Sequence, residues 1–244
     1  EELLNALAHL PDLRVPGRTS SFAFKDGGLT IRQIADTLDV AHVVEGSVRR
    51  QGETVLITAQ LIDAQTDAHL WSDTFERELT DIFAIQREIA TAIADQLQVS
   101  LSGAEQARLV GEGTVNTEAY EAYLRGRYFW NQRTAESIQT AIREFQRAVD
   151  LDSRYAEAYS GLADSYLIID NYVFRTMPDY RTNSELGLAA AQRAVSLRPD
   201  LGMAHASLGF GLWMVGDWEN ADRELERAIE LNPGYAIGHM WRAW

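Results

Sequence analysis

The sequence predicts an α+β protein of two domains: an N-terminal α/β sandwich with helices packed on a mixed sheet, and an all-α C-terminal superhelix. Three observations point there. The hydrophobic period switches from helical to two and back again over residues 1–102, which is the signature of helices and strands sharing one core. A small, polar stretch follows at 103–116, with Gly111 and Gly113, and reads as a linker. Beyond it a helical pattern repeats itself, with a clear 34-residue copy from Gly202 to Tyr235.

In the first domain Leu3, Leu7 and Leu10 stand at helical spacing, and Pro11 ends that helix before an extended run, Leu13-Arg14-Val15. Thr30-Ile31-Arg32-Gln33 fits a capping box: the Thr hydroxyl takes the amide three residues on, and Gln33 reaches back. Ile31, Ile34, Ala35 and Leu38 then line one helical face. From Val43 the period is two. Val44, Gly46 and Val48 alternate with Glu45, Ser47 and Arg49, and Val55, Ile57, Ala59 and Leu61 form a second strand after a Gln51-Gly52-Glu53 hairpin turn. A third strand is expected over His69 to Phe75, after a turn at Asp63 to Asp67, giving an antiparallel meander. Beyond Thr80 the stripe Ile82, Ile85, Ile89, Ile93 and Leu97 restores a helix.

The helical repeats occupy 117–244, as copies at about 117–153, 156–199 and 202–235 and a fourth from 236 that stops after one helix. The copy from Gly202 carries Leu208, Gly209, Leu212, Ala221, Leu225, Ala228 and Pro233 at repeat positions 7, 8, 11, 20, 24, 27 and 32. The preceding copy has Tyr159, Leu162, Ala163 and Tyr166, then Ala191, Ala194 and Pro199, with twelve extra residues between its helices. The first has Tyr123 and Trp130, then Ala141, Phe145 and Ala148. Three helix ends, FQRAVDLD, AQRAVSLRP and LERAIELNP, echo one another. This pattern is similar to the tetratricopeptide repeat, in which small residues let paired helices approach and each hairpin buries its face against a neighbour.

The segments EELLNALAHLPDLRV, RTSSFAFK, VVEGSVRRQG, ITAQLIDA, HLWSDTFER and DIFAIQREIA resemble the TolB-type amino-terminal domain over about residues 1–102. A first strand of the type AVLPF, expected before Glu1, is missing. In bacterial signalling proteins such a domain, followed by tetratricopeptide repeats, is often joined to an adenylate/guanylate cyclase, a winged-helix regulator or a Ser/Thr kinase. The resemblance implies a sensory or assembly module; it brings no catalytic residue and no cofactor.

A tetratricopeptide superhelix implies a concave face made by the first helix of each hairpin. Repeat positions 2, 5, 9 and 12 give Leu124 and Tyr128, then Glu157, Ser160 and Asp164, then Met203, Phe210 and Trp213. Lys and Asn are nearly absent there, which disfavours a carboxylate-clamp ligand. An apolar, aromatic peptide or helix with some positive charge suits the face better. A second reading has Phe210 and Trp213 packing only against the next hairpin. Within the insertion, residues 169–182 (IDNYVFRTMPDYRT) read as an extension of both helices or as a lid.

Composition narrows the function classes. Net charge is −14, with 9 basic against 18 acidic residues in 1–114 and 13 against 18 in 115–244, a surface that repels nucleic-acid backbones. There is no cysteine, which excludes disulfides and thiolate chemistry, and Lys25, the sole lysine, sits beside the Asp26-Gly27-Gly28 turn. The five histidines, His9, His42, His69, His205 and His239, make no metal motif, and neither a Walker loop nor a G-x-S-x-G elbow occurs. No run of about 18 apolar residues is present to span a bilayer. The expectation is a non-enzymatic module that binds a protein or peptide, without cofactor, metal, nucleic acid or membrane span. It would form a piece of a longer bacterial signalling or transcriptional regulator, or the non-catalytic C-terminal region of a cyclase or kinase. The cytoplasm is favoured over the periplasm, attachment to an inner-membrane parent is allowed, and the oligomeric state is open.

Overall fold

The computed structural model describes residues 3–4, 7, 13–25, 27–52, 54–78, 82–97, 114, 116–172 and 180–243. Its Cα positions group into two compact units, Glu1–Gly111 and Glu112–Trp244.

In the first unit Leu3, Leu4 and Leu7 are helical, and Leu7 is buried; Leu10 and Pro11 lie outside the described residues. Leu13-Arg14-Val15 is not a strand. Pro16 follows at once and withholds an amide from any ladder. The Ser21 hydroxyl then donates to the carbonyls of Pro16 and Gly17, at 3.3 and 3.2 Å, within a short helix, α1 (Arg18–Phe22), that the sequence pattern does not announce. Next comes α2 (Ile31–Leu38), started by the expected capping box: the Gln33 amide donates to Thr30 Oγ1 at 3.3 Å, and the Thr30 amide donates to Gln33 Oε1 at 2.9 Å.

The sheet consists of β1 (His42–Gln51), β2 (Thr54–Asp63) and β3 (Ala68–Glu78) in the order β1-β2-β3, antiparallel throughout. The mixed sheet expected from sequence is therefore corrected among the described residues, since the strand it needed at 13–15 is absent. Gln51 pairs with Thr54, which leaves a two-residue turn, and Gly52 enters it at φ +62°, where a side chain is strained. The second turn is tied by Asp63, whose Oδ1 accepts from the amides of Gln65 and Thr66 at 3.0 and 2.8 Å and from Thr66 Oγ1 at 2.8 Å.

One face of β2 buries Val55, Ile57, Ala59 and Leu61, with Phe75 of β3 opposite Ile57. Helix α3 (Ile82–Gln96) packs on β3 and buries Ile85, Ile89, Ala90, Ile93 and Ala94, while α2 packs on β1 through a layer that includes Ala35. Each isoleucine so buried contributes about 1.5–3 kcal/mol. The result is a sheet covered by helices, held by the expected stripe of α3.

The second unit is α4 (Thr117–Asn131), α5 (Ala135–Leu151), α6 (Ala156–Tyr172), α7 (Tyr180–Leu197), α8 (Gly202–Val215), α9 (Trp218–Leu231) and α10 (Ala236–Arg242). These form three helical hairpins and one further helix. The turns between hairpins are copies of one another. In each, the residue after the helix donates its amide to an alanine carbonyl at 2.9 Å: Asp152 to Ala148, Arg198 to Ala194, Asn232 to Ala228. Three residues later an amide closes the turn, with Tyr155 to Asp152 and Leu201 to Arg198 at 3.1 Å and Tyr235 to Asn232 at 3.0 Å. Those alanines are repeat position 27 and are fully buried, so sequence repeat and structural repeat coincide.

Helices α6 and α7 have 17 and 18 residues where α8 and α9 have 14 each, so the insertion lengthens both helices of its hairpin. Residues 173–179, where a lid would fall, lie outside the described residues. So does most of the expected linker; within it Thr114 is buried, and Asn116 accepts from the Ala119 amide at 3.1 Å while donating to the Leu151 carbonyl at 3.2 Å. One asparagine thus caps the start of α4 and holds the end of α5.

Candidate functional site

The candidate face is formed by the first helices of the hairpins, α4, α6 and α8, which pack in sequence with α10 behind α8. Which residues of α4 belong to it is settled by Gly126. A methyl group there would lie 2.6 Å from Cδ1 and Cε1 of Phe145 on α5, just as one on Gly209 of α8 would lie 2.6 Å from Leu225 Cγ on α9. Gly126 is therefore repeat position 8, and the register of the first copy moves by one residue from the sequence reading. Positions 2, 5, 9 and 12 become Tyr120, Tyr123, Arg127 and Trp130, all buried.

Leu124 and Tyr128 sit on the neighbouring stripe, and Tyr128 is 64% exposed. On α6, Glu157 is half-buried and pairs with Arg198 at 3.6 Å, whereas Ser160 and Asp164 are fully buried. On α8, Met203 and Phe210 are buried and Trp213 is 41% exposed. Phe210 stacks on Trp241 of α10, with centroids 4.6 Å apart and planes at 10°, and Trp213 stacks on Phe210 at 6.1 Å and 12°. Phe210 therefore packs against the next hairpin, as the second reading had it. Trp213 extends the same stack to the surface.

Beneath the face lies a polar junction that the repeat template does not contain. Asp164 Oδ1 is 2.6 Å from Ser207 Oγ of α8, and Ser207 Oγ is also 2.9 Å from the Met203 carbonyl. Arg127 of α4 and Arg133, just beyond the end of α4, act on Asp164 electrostatically, Arg133 lying 3.5 Å over the Trp130 ring. Burial dominates these attractions and pushes the Asp164 carboxyl up to about 6. Asp164 Oδ2, Ser160 Oγ and Trp130 Nε1 are buried without a hydrogen-bond partner among the described residues.

His205, at position 4 of its repeat, has Nδ1 2.6 Å from Glu224 Oε2 and Nε2 2.8 Å from the Pro199 carbonyl. His239, the equivalent residue one repeat on, has Nε2 2.8 Å from the Pro233 carbonyl. Histidine in the place of an aromatic thus ties the second and third inter-hairpin turns to the helix after each.

Arg127 and Trp130 are the face residues that sequence reasoning missed. The signal was present, because Gly126 is the one glycine between Thr117 and Asn131 and the repeat demands a small residue at position 8.

No protein-family model matches the chain. It is 34% identical over 215 residues to "Putative adenylate cyclase 3" of Rhizobium meliloti (strain 1021), a match over 88% of this chain and 36% of that protein. The chain therefore spans about a third of the length of that relative. Among solved structures it is similar to the second TPR domain of human RPAP3 in complex with an HSP70 peptide, at 19% identity and a TM-score of 0.40, over 52% of this chain and 92% of that one. It is similar too to the Arabidopsis OM64 TPR domain, at 12% identity and a TM-score of 0.41, over 51% of this chain and 91% of that one. The assignment of α4–α10 as tetratricopeptide-type hairpins stands on the repeated turns and the small-residue contacts described above. Among the described residues no helix is long and apolar enough to cross a membrane.

Proposed function

We propose that this chain is a protein-interaction and regulatory module of a bacterial signalling protein, with a TolB-like domain over about 1–102 and a peptide-binding helical array over 117–244. The observation that carries the binding role is the array of stacked hairpins with exposed apolar side chains on their first helices, Trp213 on the inner stripe of α8 and Leu124 and Tyr128 on the stripe beside it on α4. A bound peptide or helix lies across these residues, with half-buried Glu157 and the surface charge of −14 favouring a partner that is apolar and aromatic with some positive charge. Ser160, Asp164, Met203 and Phe210 support that surface from beneath.

The test selects binders to the whole 244-residue chain from a random peptide library and measures the best by fluorescence anisotropy. Trp213→Ala and Tyr128→Ala are each expected to weaken binding about tenfold or more, the loss of about 1.4 kcal/mol. A binder indifferent to both substitutions would move the site elsewhere.

A narrower reading is favoured by the similarity to the putative adenylate cyclase: the chain is the non-catalytic region of a nucleotide cyclase, whose chemistry lies in the part of that relative that this chain does not match. A cyclase assay on the chain alone is expected to yield no cyclic nucleotide. Turnover above background that survived repurification would refute that reading.

A further inference from the structure

The junction at Asp164 has a proton count that does not close when the carboxylate is ionised. Ser207 Oγ carries one hydrogen, yet two oxygens stand within hydrogen-bond distance of it, Asp164 Oδ1 at 2.6 Å and the Met203 carbonyl at 2.9 Å. If Asp164 is a carboxylate, both are pure acceptors and the two contacts must share that one hydrogen. If Asp164 carries a proton, it donates to Ser207 Oγ, Ser207 donates to the Met203 carbonyl, and both contacts are satisfied in a chain. Asp164 Oδ2, which has no partner, is then the carbonyl oxygen of a neutral acid rather than half of an unpaired charge.

We propose that Asp164 is held as a neutral carboxylic acid that ties α6 to α8, and that loss of its proton gives that bond up in favour of the electrostatic pull of Arg127 on α4 and Arg133 just beyond the end of α4, loosening the α6–α8 contact. The proton thereby decides which neighbouring hairpin the middle one grips. Among the described residues the charges acting on Asp164 are those two guanidinium groups, and the group acting on it from α8 is the Ser207 hydroxyl. Burial raises the carboxyl to about 6, which places the exchange in a physiological interval. This deepens the reading of the first helices as the binding face, since the spacing of α6 and α8 sets its shape. It is tested without any ligand, so it stands or falls separately from peptide binding.

The experiment is a titration of the whole chain from pH 4 to 8, with aspartate labelled by ¹³C at the carboxyl carbon. The Asp164 resonance is assigned as the one absent from Asp164→Asn. Its midpoint is expected near 6, well above the ordinary carboxylate range of about 3.9, and Ser207→Ala is expected to shift it. Asp164→Asn, which keeps a donor for Ser207, is expected to hold the α8 amides in their low-pH positions across the whole range. An Asp164 resonance that titrates near 4, or α8 amides that move with pH equally in wild type and in Asp164→Asn, overturns the proposal. Where Asp164→Asn does not fold, assignment through the shift in Ser207→Ala leaves the wild-type midpoint decisive.

Discussion

Replacing Gly126 by alanine should destabilise the helical array, against the usual rule for glycine in a helix. On an exposed helical surface the change from glycine to alanine stabilises by about 1 kcal/mol, because alanine surrenders less backbone freedom. Gly126 is not on such a surface. Its added methyl would stand 2.6 Å from two ring carbons of Phe145, about 1 Å inside the ordinary carbon contact of ~3.5–4.0 Å. The ring is closely held by other neighbours as well: a methyl on Gly161 of α6 would come within 2.5 Å of its Cε1, and Tyr123 packs on it with centroids 5.8 Å apart. Overpacking of this kind costs about 1–3 kcal/mol, so the net effect is a loss of up to about 2 kcal/mol. Urea denaturation followed by helical circular dichroism reads it. The sign should reverse in a Phe145→Ala background, where the methyl enters the space the ring has left and the propensity gain of about 1 kcal/mol returns. If Gly126→Ala stabilises the wild-type chain by that amount, Gly126 does not face Phe145. The first hairpin then has the register that puts Leu124 and Tyr128 on the inner face.

Two further outcomes follow from single residues. Asn116→Ala removes both the cap on α4 and the tie to the Leu151 carbonyl, and should cost about 1–2 kcal/mol, seen as faster amide exchange at Ala119 and at the C-terminal end of α5. The three hydrogen bonds from Gln65 and Thr66 to Asp63 hold its carboxyl below the ordinary carboxylate value. A depressed folded value means the turn is supported above the unfolded pKa and loses that support as pH falls through the folded one. The β2–β3 turn resonances should therefore shift under acid at a lower pH than free aspartate titrates, and Asp63→Asn should remove that transition.

Much of the architecture was legible because the residues that make it act locally. The capping box at Thr30 and Gln33, the two-residue turn at Gly52 and the isoleucine stripe of α3 each depend on neighbours within a few positions, and each is found where its pattern stands. Repeat position 27 was equally legible, since the recurring helix ends FQRAVDLD, AQRAVSLRP and LERAIELNP carry the same alanine into the same turn three times. The failures have a common cause. Leu13-Arg14-Val15 has the composition of a strand, but a strand exists only through a partner, and Pro16 with the following helix denies it one. Helix α1 is five residues of serine, threonine, arginine and phenylalanine without an apolar stripe, held by a serine hydroxyl rather than by periodicity.

The binding face was read less well, because a repeat template assigns positions and leaves open how deeply neighbouring repeats cover them. The one-residue offset on α4 moved the inner stripe from Tyr123 and Arg127 to Leu124 and Tyr128, and a helix turns through about 100° per residue. On α6 the register was right, yet Ser160 and Asp164 are buried. The burial of Asp164 reflects a pairing between position 9 of one repeat and Ser207 of the next, 43 residues apart, which no single repeat encodes. Asp164 is the case that distinguishes a surface from a junction. An exposed aspartate there would be an ordinary groove carboxylate, whereas burial raises this one to about 6, and the serine hydrogen-bonded to it belongs to the adjacent hairpin. Polar residues at inner positions of a helical array therefore identify contacts between repeats as readily as contacts with a ligand. The two are separated by whether a partner on the next first helix completes the hydrogen-bond count.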